Sequence, residues 1–244
     1  MCSRRPKRRP TTADRLRPVL PAISLKRAAK LNAKKHREAQ RLFLAEGKVL
    51  IRESEEPPKG LFDNPREVRR LSTLKTPTGP VGVFPFVDVP SGMLLSAAGR
   101  IVLLHSVQDP GNVGTVIRSA HAFEAGVALS RGCADLYNPR TVRATSGSIF
   151  HVPVARELES LDFLQDARSV GVTVVAALPG GGDSPRSLPA GRIVIVVGAE
   201  GAGLPKEVVE VSEIRVTIPS RAASLNAAIA ASILLYEADT GMLP

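Results

Sequence analysis

Asn112 and Arg118 lie in DPGNVGTVIRSAHAFEAG, residues 109–126, an amide and a guanidinium on what reads as a turn and the helix after it. A glycine-bearing turn between strand and helix is a common phosphate cradle, because the first amide protons of a helix point outward unpaired. A dinucleotide site asks for three glycines as G-x-G-x-x-G. Only Gly111 and Gly114 occur here, which disfavours a nicotinamide site. Alone, Asn112 reads equally well as an N-cap and Arg118 as a solvated charge. A second stretch, RIVIVVGAEGAGLPKEV (192–208), runs an apolar strand into Gly198, Glu200, Gly201 and Gly203. Glycines let backbone press against a ligand where a side chain would block it, and a lone acid between them at a strand end suits a site better than an ordinary turn. Glu200 is available there to pair with a cation such as Arg118. The third, VTIPSRAASLNAAIAASILLYE (216–237), offers Ser224 as a helix N-cap before an Ala-rich helix apolar on nearly every side, which predicts burial. Asn226 in its first turn needs a partner, either a protein group or a ligand.

The elements that would hold these residues divide the chain. Residues 1–75 carry 21 Lys and Arg against 8 Asp and Glu, whereas residues 76–244 carry 12 against 15. Clustered basic charge gains from displacing counterions on a polyphosphate, so RNA or DNA is the favoured partner of the first third. Residues 1–22 read as a basic disordered tail. SLKRAAKLNAKKHREAQ (24–40) reads as one amphipathic helix whose cationic stripe includes Lys34, Lys35 and Arg37, with Arg41 just beyond. A strand and helix over 41–54, a turn at EEPPKGLFDNP, a helix near 66–74 and a strand at VGVFPFV complete a domain over 23–90. Pro90, Ser91 and Gly92 read as its linker. Beyond residue 99, RIVLLHSV, GVALS, VTVVAA, RIVIVVG and EIRVTI read as strands too continuously apolar to have a wet face. Helices near 112–125, 139–146, 158–169, 205–211 and 224–238 alternate with them, which predicts an α/β domain over 91–244 with a parallel sheet. Two cysteines give neither a disulfide framework nor a zinc spacing, and His105, His121 and His151 lack a metal pattern, so no metal is expected. No run of 18 apolar residues and no signal peptide are found, so the expectation is a soluble cytoplasmic protein without membrane contact.

The three stretches together resemble the SpoU/TrmH family of RNA ribose methyltransferases: N-x-G-x-x-x-R at Asn112, Gly114 and Arg118, G-x-E-G-x-G-L at Gly198 to Leu204, and I-P followed by S-L-N at Ile218, Pro219 and Ser224 to Asn226. The likeness extends upstream, where LNAKKHREAQRLFLAEGKVL is similar to the family's small substrate-binding domain. The resemblance implies a C-terminal trefoil knot in the parallel sheet, an L30e-like ribosomal-protein fold for the basic domain, and a homodimer. It implies S-adenosylmethionine as cofactor, held by Leu178, Gly198, Glu200, Gly203, Ile218, Leu225 and Asn226. Arg118, Asn112, Glu200, Asn226 and Ser224 would serve catalysis; the resemblance implies Arg118 as the residue that activates the ribose 2′-hydroxyl, either as a base perturbed by its neighbours or by orienting the hydroxyl, and the second is preferred on physical grounds because a guanidinium stays protonated. RNA contacts are expected at Lys34, Lys35, Arg37, Arg41, Asn138 and Arg143, with ribosomal RNA favoured over tRNA. Two departures from the family pattern are a short spacer, SRAA, between Pro219 and Ser224, and a compressed EEPPKGLFDNP segment. The alternative from another class is a noncatalytic RNA-binding or ribosome-assembly protein on the same scaffold.

Overall fold

A computed structural model describes residues 23–240; the expected disordered tail, 1–22, lies outside them. The described residues divide into two compact units, with the boundary in the chain between Pro85 and Phe86.

In the first unit, β1 (Leu42–Glu46), β2 (Gly60–Phe62) and β3 (Val81–Pro85) form an antiparallel sheet in the order β1-β3-β2. β2 lies inside the segment read as a turn. The single helix expected over 24–40 is two, Leu25–Lys30 and Lys34–Gln40, broken at Leu31–Ala33. The break is held by Arg37, whose Nη1 donates to the carbonyls of Leu31 and Asn32 at 2.8 and 2.9 Å, while Asn32 Nδ2 donates to the Leu71 carbonyl. Arg37 is therefore buried at 3 % exposure and spent on backbone, which removes it from the expected RNA-facing stripe. Its neighbours Lys34, Lys35 and Arg41 are exposed. Ala28, Leu31, Leu44, Phe62, Val68, Leu71, Val81 and Val83 pack as the core of this unit.

In the second unit six parallel strands lie in the order β6-β5-β4-β8-β7-β9, with β4 at Arg100–His105, β5 at Gly126–Ser130, β6 at Val154–Leu158, β7 at Thr173–Ala177, β8 at Ile193–Gly198 and β9 at Ile214–Val216. The α/β class and parallel sheet agree with the sequence pattern; β6 was not legible, because Arg156 and Glu157 interrupt its apolar run. Pro90–Gly92 is not a linker: Pro90 sits at the N-cap position of a helix, Ser91–Ala97, whose Leu94 and Leu95 are buried. Residues 86–90 belong to this unit. The Tyr137 phenol donates to Asp88 Oδ1 at 2.6 Å and accepts from the amides of Val87 and Asp88, with Phe86 stacked on its ring. Burial and the Asp88 carboxylate hold that phenol well above its usual range, so it remains a donor. Leu103, Ala128, Val174, Val194 and Val196 build the core between sheet and helices. No described helix is long and apolar enough to cross a membrane.

Strands leave β4 outward through β5 to β6, and the chain then returns to lay β8 against the other edge of β4. Excursions in opposite directions along the sheet from one strand pair open a crevice beyond its carboxyl ends, where α/β sheets bind ligands. His105 at the end of β4 stands in register with Gly198 at the end of β8.

Candidate functional site

The loop after β4 leads into the helix Pro110–Ala122. Its N-cap is Asp109, whose Oδ1 accepts from the Asn112 amide at 2.9 Å, so Asn112 is not the cap and its side chain is free to turn elsewhere. Gly114 serves packing: a Cβ there would meet Ala144 Cβ at 2.4 Å, so the helix Pro139–Ala144 can lie directly on this one. The loop after β8 turns back sharply, with Gly203 N donating to the Ala199 carbonyl at 2.9 Å. A Cβ on Gly198 would lie 2.3 Å from the Gly203 carbonyl oxygen, and Gly201 and Gly203 have φ of 82° and 67°. Those glycines leave Glu200 at the outer corner of the turn.

The third stretch meets the first two here. Asn226, not Ser224, caps the helix Ala227–Thr240: its Oδ1 accepts from the amides of Ala228 and Ile229. With its oxygen thus committed, Nδ2 must face the other way, and it donates to Glu200 Oε1 at 2.6 Å and Asn112 Oδ1 at 3.0 Å. Asn112 Nδ2 in turn donates to Glu200 Oε1 at 2.8 Å. Three residues expected to act together thus form one closed cluster, and the polar partner that Asn226 required is found.

Two cavities abut at this cluster. A cleft of about 300 Å³ is lined by Leu178, Val197, Gly198, Gly203, Ile218 and Leu225, with Ser224 at its edge and Glu200 as its only charged wall. A second, of about 590 Å³, is lined by Ser106, Gln108, Asp109, Asn112, Glu200 and Asn226. Ala199 and Glu200 belong to both. Apolar walls suit a flat purine, and one carboxylate on an otherwise uncharged lining suits a cation. The cleft therefore fits S-adenosylmethionine in size and charge.

Arg118 does not join. Six residues past Asn112 it points about 120° away round the helix and sits about 9 Å along it. It is exposed, and among the described residues it has no hydrogen-bond or ion-pair partner, so the expected pairing with Glu200 is not made. It precedes Ser119, which bonds Ser232 at 2.7 Å, and the helix ends at Phe123, whose ring meets Tyr236 edge-on. The expected burial of the last helix fails on this side: Ile229 and Tyr236 are each 53 % exposed. Of the remaining expected contacts, Asn138 caps the helix Pro139–Ala144 through Oδ1, and Arg143 is half-buried on it. Arg140, exposed on the same helix, pairs with Asp109 at 3.4 Å beside the second cavity. His105 bonds Ser160 at 2.8 Å, its burial lowering its proton affinity, and burial pushes the Cys133 thiol up, which disfavours the reactive thiolate. Gln108 and Ser106, on the cavity wall, were not singled out from sequence. Their only signal is adjacency to Asp109.

A parallel α/β sheet with a cation-suited cleft at the carboxyl ends of β7, β8 and β9, joined to a carboxylate and amide cluster, is the arrangement in which α/β enzymes of this class bind their ligands. Residues 99–236 match the SpoU rRNA Methylase family, and the chain belongs to it. A Bacillus subtilis relative named 23S rRNA (guanosine(2553)-2′-O)-methyltransferase RlmP is 32 % identical over 85 % of this chain and 92 % of its own. The AdoMet-bound rRNA methyltransferase of Sinorhizobium meliloti superposes with a TM-score of 0.79 at 32 % identity, covering 90 % of this chain and 95 % of the other. AviRb of Streptomyces viridochromogenes, a SpoU methyltransferase in complex with AdoMet, gives 0.79 at 25 % identity over 88 % and 96 %.

Proposed function

We propose that this protein is an S-adenosylmethionine-dependent methyltransferase acting on a ribose 2′-hydroxyl of RNA, ribosomal RNA in preference to tRNA. The observation that carries the reading is the meeting of a cofactor-sized cleft and a polar cavity at Ala199 and Glu200. The names of the relatives support ribosomal RNA, and the basic charge of the first unit suits it.

Bound S-adenosylmethionine supplies an electrophilic methyl on a sulfonium. Leu178, Ile218 and Leu225 would enclose its apolar parts, and the close backbone at Gly198 and Gly203 would bring main-chain groups to its polar edges. The cluster of Asn112, Glu200 and Asn226 would align the ribose, and alignment is the main requirement of an in-line displacement. Ser224, at the cleft edge, would brace the cofactor loop. Lys34, Lys35 and Arg41 on the first unit, which we read as an L30e-like substrate domain, and Asn138 and Arg143 on the second would hold phosphates.

Two further features belong to this reading. The trefoil knot is supported by the interlocking of 178–183 with 215–217: Leu178 N donates to the Val216 carbonyl, Asp183 N to that of Arg215 and Thr217 N to that of Asp183, all within 2.9 Å. A homodimer is supported by the apolar stripe of Ile229, Ile233 and Tyr236, with Arg118 beside it; a second copy over that stripe would put Arg118 at the interface, within reach of a ribose held by the other copy. Such a protein works in the cytoplasm, where ribosomal RNA is made and assembled in bacteria such as those of the relatives. The test is transfer of labelled methyl from S-adenosylmethionine to ribosomal RNA and to tRNA, with the product mapped. Label in a single ribose of ribosomal RNA, lost in Arg118→Ala, is expected; undiminished transfer by that variant would remove Arg118 from the site.

A further inference from the structure

The hydrogen-bond arithmetic of the cluster leaves one oxygen over. The helix cap commits Asn226 Oδ1 to two backbone amides, which forces both of its amide protons toward Asn112 Oδ1 and Glu200 Oε1. That in turn commits Asn112 Oδ1 as acceptor, so Asn112 Nδ2 also donates to Glu200 Oε1. Glu200 Oε1 is thus saturated by two amide donors, and Glu200 Oε2 has no partner among the described residues. A carboxylate clamped through one oxygen cannot rotate freely, so its second oxygen has a fixed direction. Glu200 is also the charged residue that lines both cavities, so it stands where methyl donor and acceptor must meet. No other side chain of the cluster can accept a proton, since the two amides are neutral and have no basic site, and the Asp109 carboxylate on the second cavity's wall is engaged by the Asn112 backbone amide and by Arg140. Arg118, brought to the ribose from a second copy, stays protonated and can orient the hydroxyl but not take its proton.

Resting on the methyl-transfer reading above, we propose that Glu200 is the catalytic base of this protein, its Oε2 receiving the proton of the ribose 2′-hydroxyl. In that step the 2′-oxygen forms its bond to the methyl carbon as the carbon–sulfur bond breaks, and the electron pair of that bond stays on sulfur, discharging the sulfonium. The hydroxyl proton passes to Oε2 and from there to water in the open cavity. Asn112 and Asn226 are positioning residues in this scheme, holding Oε1 so that Oε2 faces the substrate.

Glu200→Gln tests this directly. A glutamine keeps its carbonyl oxygen where two amides donate to it and so preserves the cluster, but it replaces the free acceptor by a donor. With full-length protein, S-adenosylmethionine and ribosomal RNA from a strain lacking the gene, single-turnover methyl transfer is expected to fall by about 100-fold or more, the usual worth of a general base. The dissociation constant for the RNA should stay within about threefold, and transfer is read at saturating S-adenosylmethionine, because Glu200 also faces that cation and its neutralisation weakens cofactor binding. Glu200→Asp, which keeps a carboxylate on a shorter stem, should transfer faster than Glu200→Gln. Transfer by Glu200→Gln within about fivefold of wild type, or a loss that appears wholly as weaker binding, overturns the assignment. If the wild type labels RNA and Glu200→Gln labels it equally, this inference alone falls; if the wild type labels no ribose, the methyl-transfer reading falls and takes this inference with it.

Discussion

Asn226 does two jobs with the two ends of one amide. Its oxygen closes the start of the Ala227–Thr240 helix, and its nitrogen joins that helix to Asn112 and Glu200. The jobs can be separated, because serine accepts at an N-cap but cannot reach two acceptors as a donor. Asn226→Ala should lose about 1 kcal/mol of stability and about 2–4 °C in Tm from the missing cap. Asn226→Ser should melt close to wild type. Both should lose methyl transfer to a similar degree, because Glu200 Oε1 loses the same donor in each. Thermal melts beside a single-turnover assay decide this; an Asn226→Ser variant as active as wild type would reduce Asn226 to a cap.

Turns and helix contacts set where these side chains arrive. The β8 loop works because Gly198 lets the returning strand of the turn lie against it, and the Pro110–Ala122 helix sits close to its neighbour because Gly114 does the same. An added methyl would collide in both places, yet the consequences should differ. Gly198→Ala should spread the turn that carries Glu200 and weaken S-adenosylmethionine binding at least tenfold by calorimetry, a shift of about 1.4 kcal/mol. Gly114→Ala should lose about 1–3 kcal/mol of stability from overpacking against Ala144, with cofactor affinity little changed, since it lines neither cavity. Equal losses of affinity in both variants would show that the cleft depends on the helix pair as a whole.

At the scale of the molecule, the second unit leaves Ile229 and Tyr236 half exposed on a helix whose other side is core. Contiguous apolar surface of this kind marks an interaction site more often than a solvated face. Wild-type protein is expected to sediment at twice the monomer mass, and Ile229→Asp to shift it to monomer while its circular dichroism stays unchanged. A wild type that sediments as monomer at micromolar concentration would remove the dimer. If Arg118 acts across the interface, Ile229→Asp should also lose methyl transfer without loss of cofactor affinity.

The sequence by itself determined what depends on neighbours along the chain. Continuous Val and Ile runs at β4, β5, β7 and β8 can only suit a sheet covered on both faces, and the helices between them follow from apolar spacing. The charge split and the identities of Asn112, Arg118, Glu200 and Asn226 were legible for the same reason. Fine local detail was not: the break in the first helix depends on a buried Arg37 bonding across the turn, and β6 hides behind Arg156 and Glu157. Tertiary structure alone decided which polar groups meet. Asn112 and Asn226 are 114 residues apart, and they touch because β8 returns to pair with β4 while Asn226 starts the helix that follows β9. It also separated Arg118 from the cluster its motif suggested, since six residues of helix turn two side chains to different faces whatever their proximity in sequence.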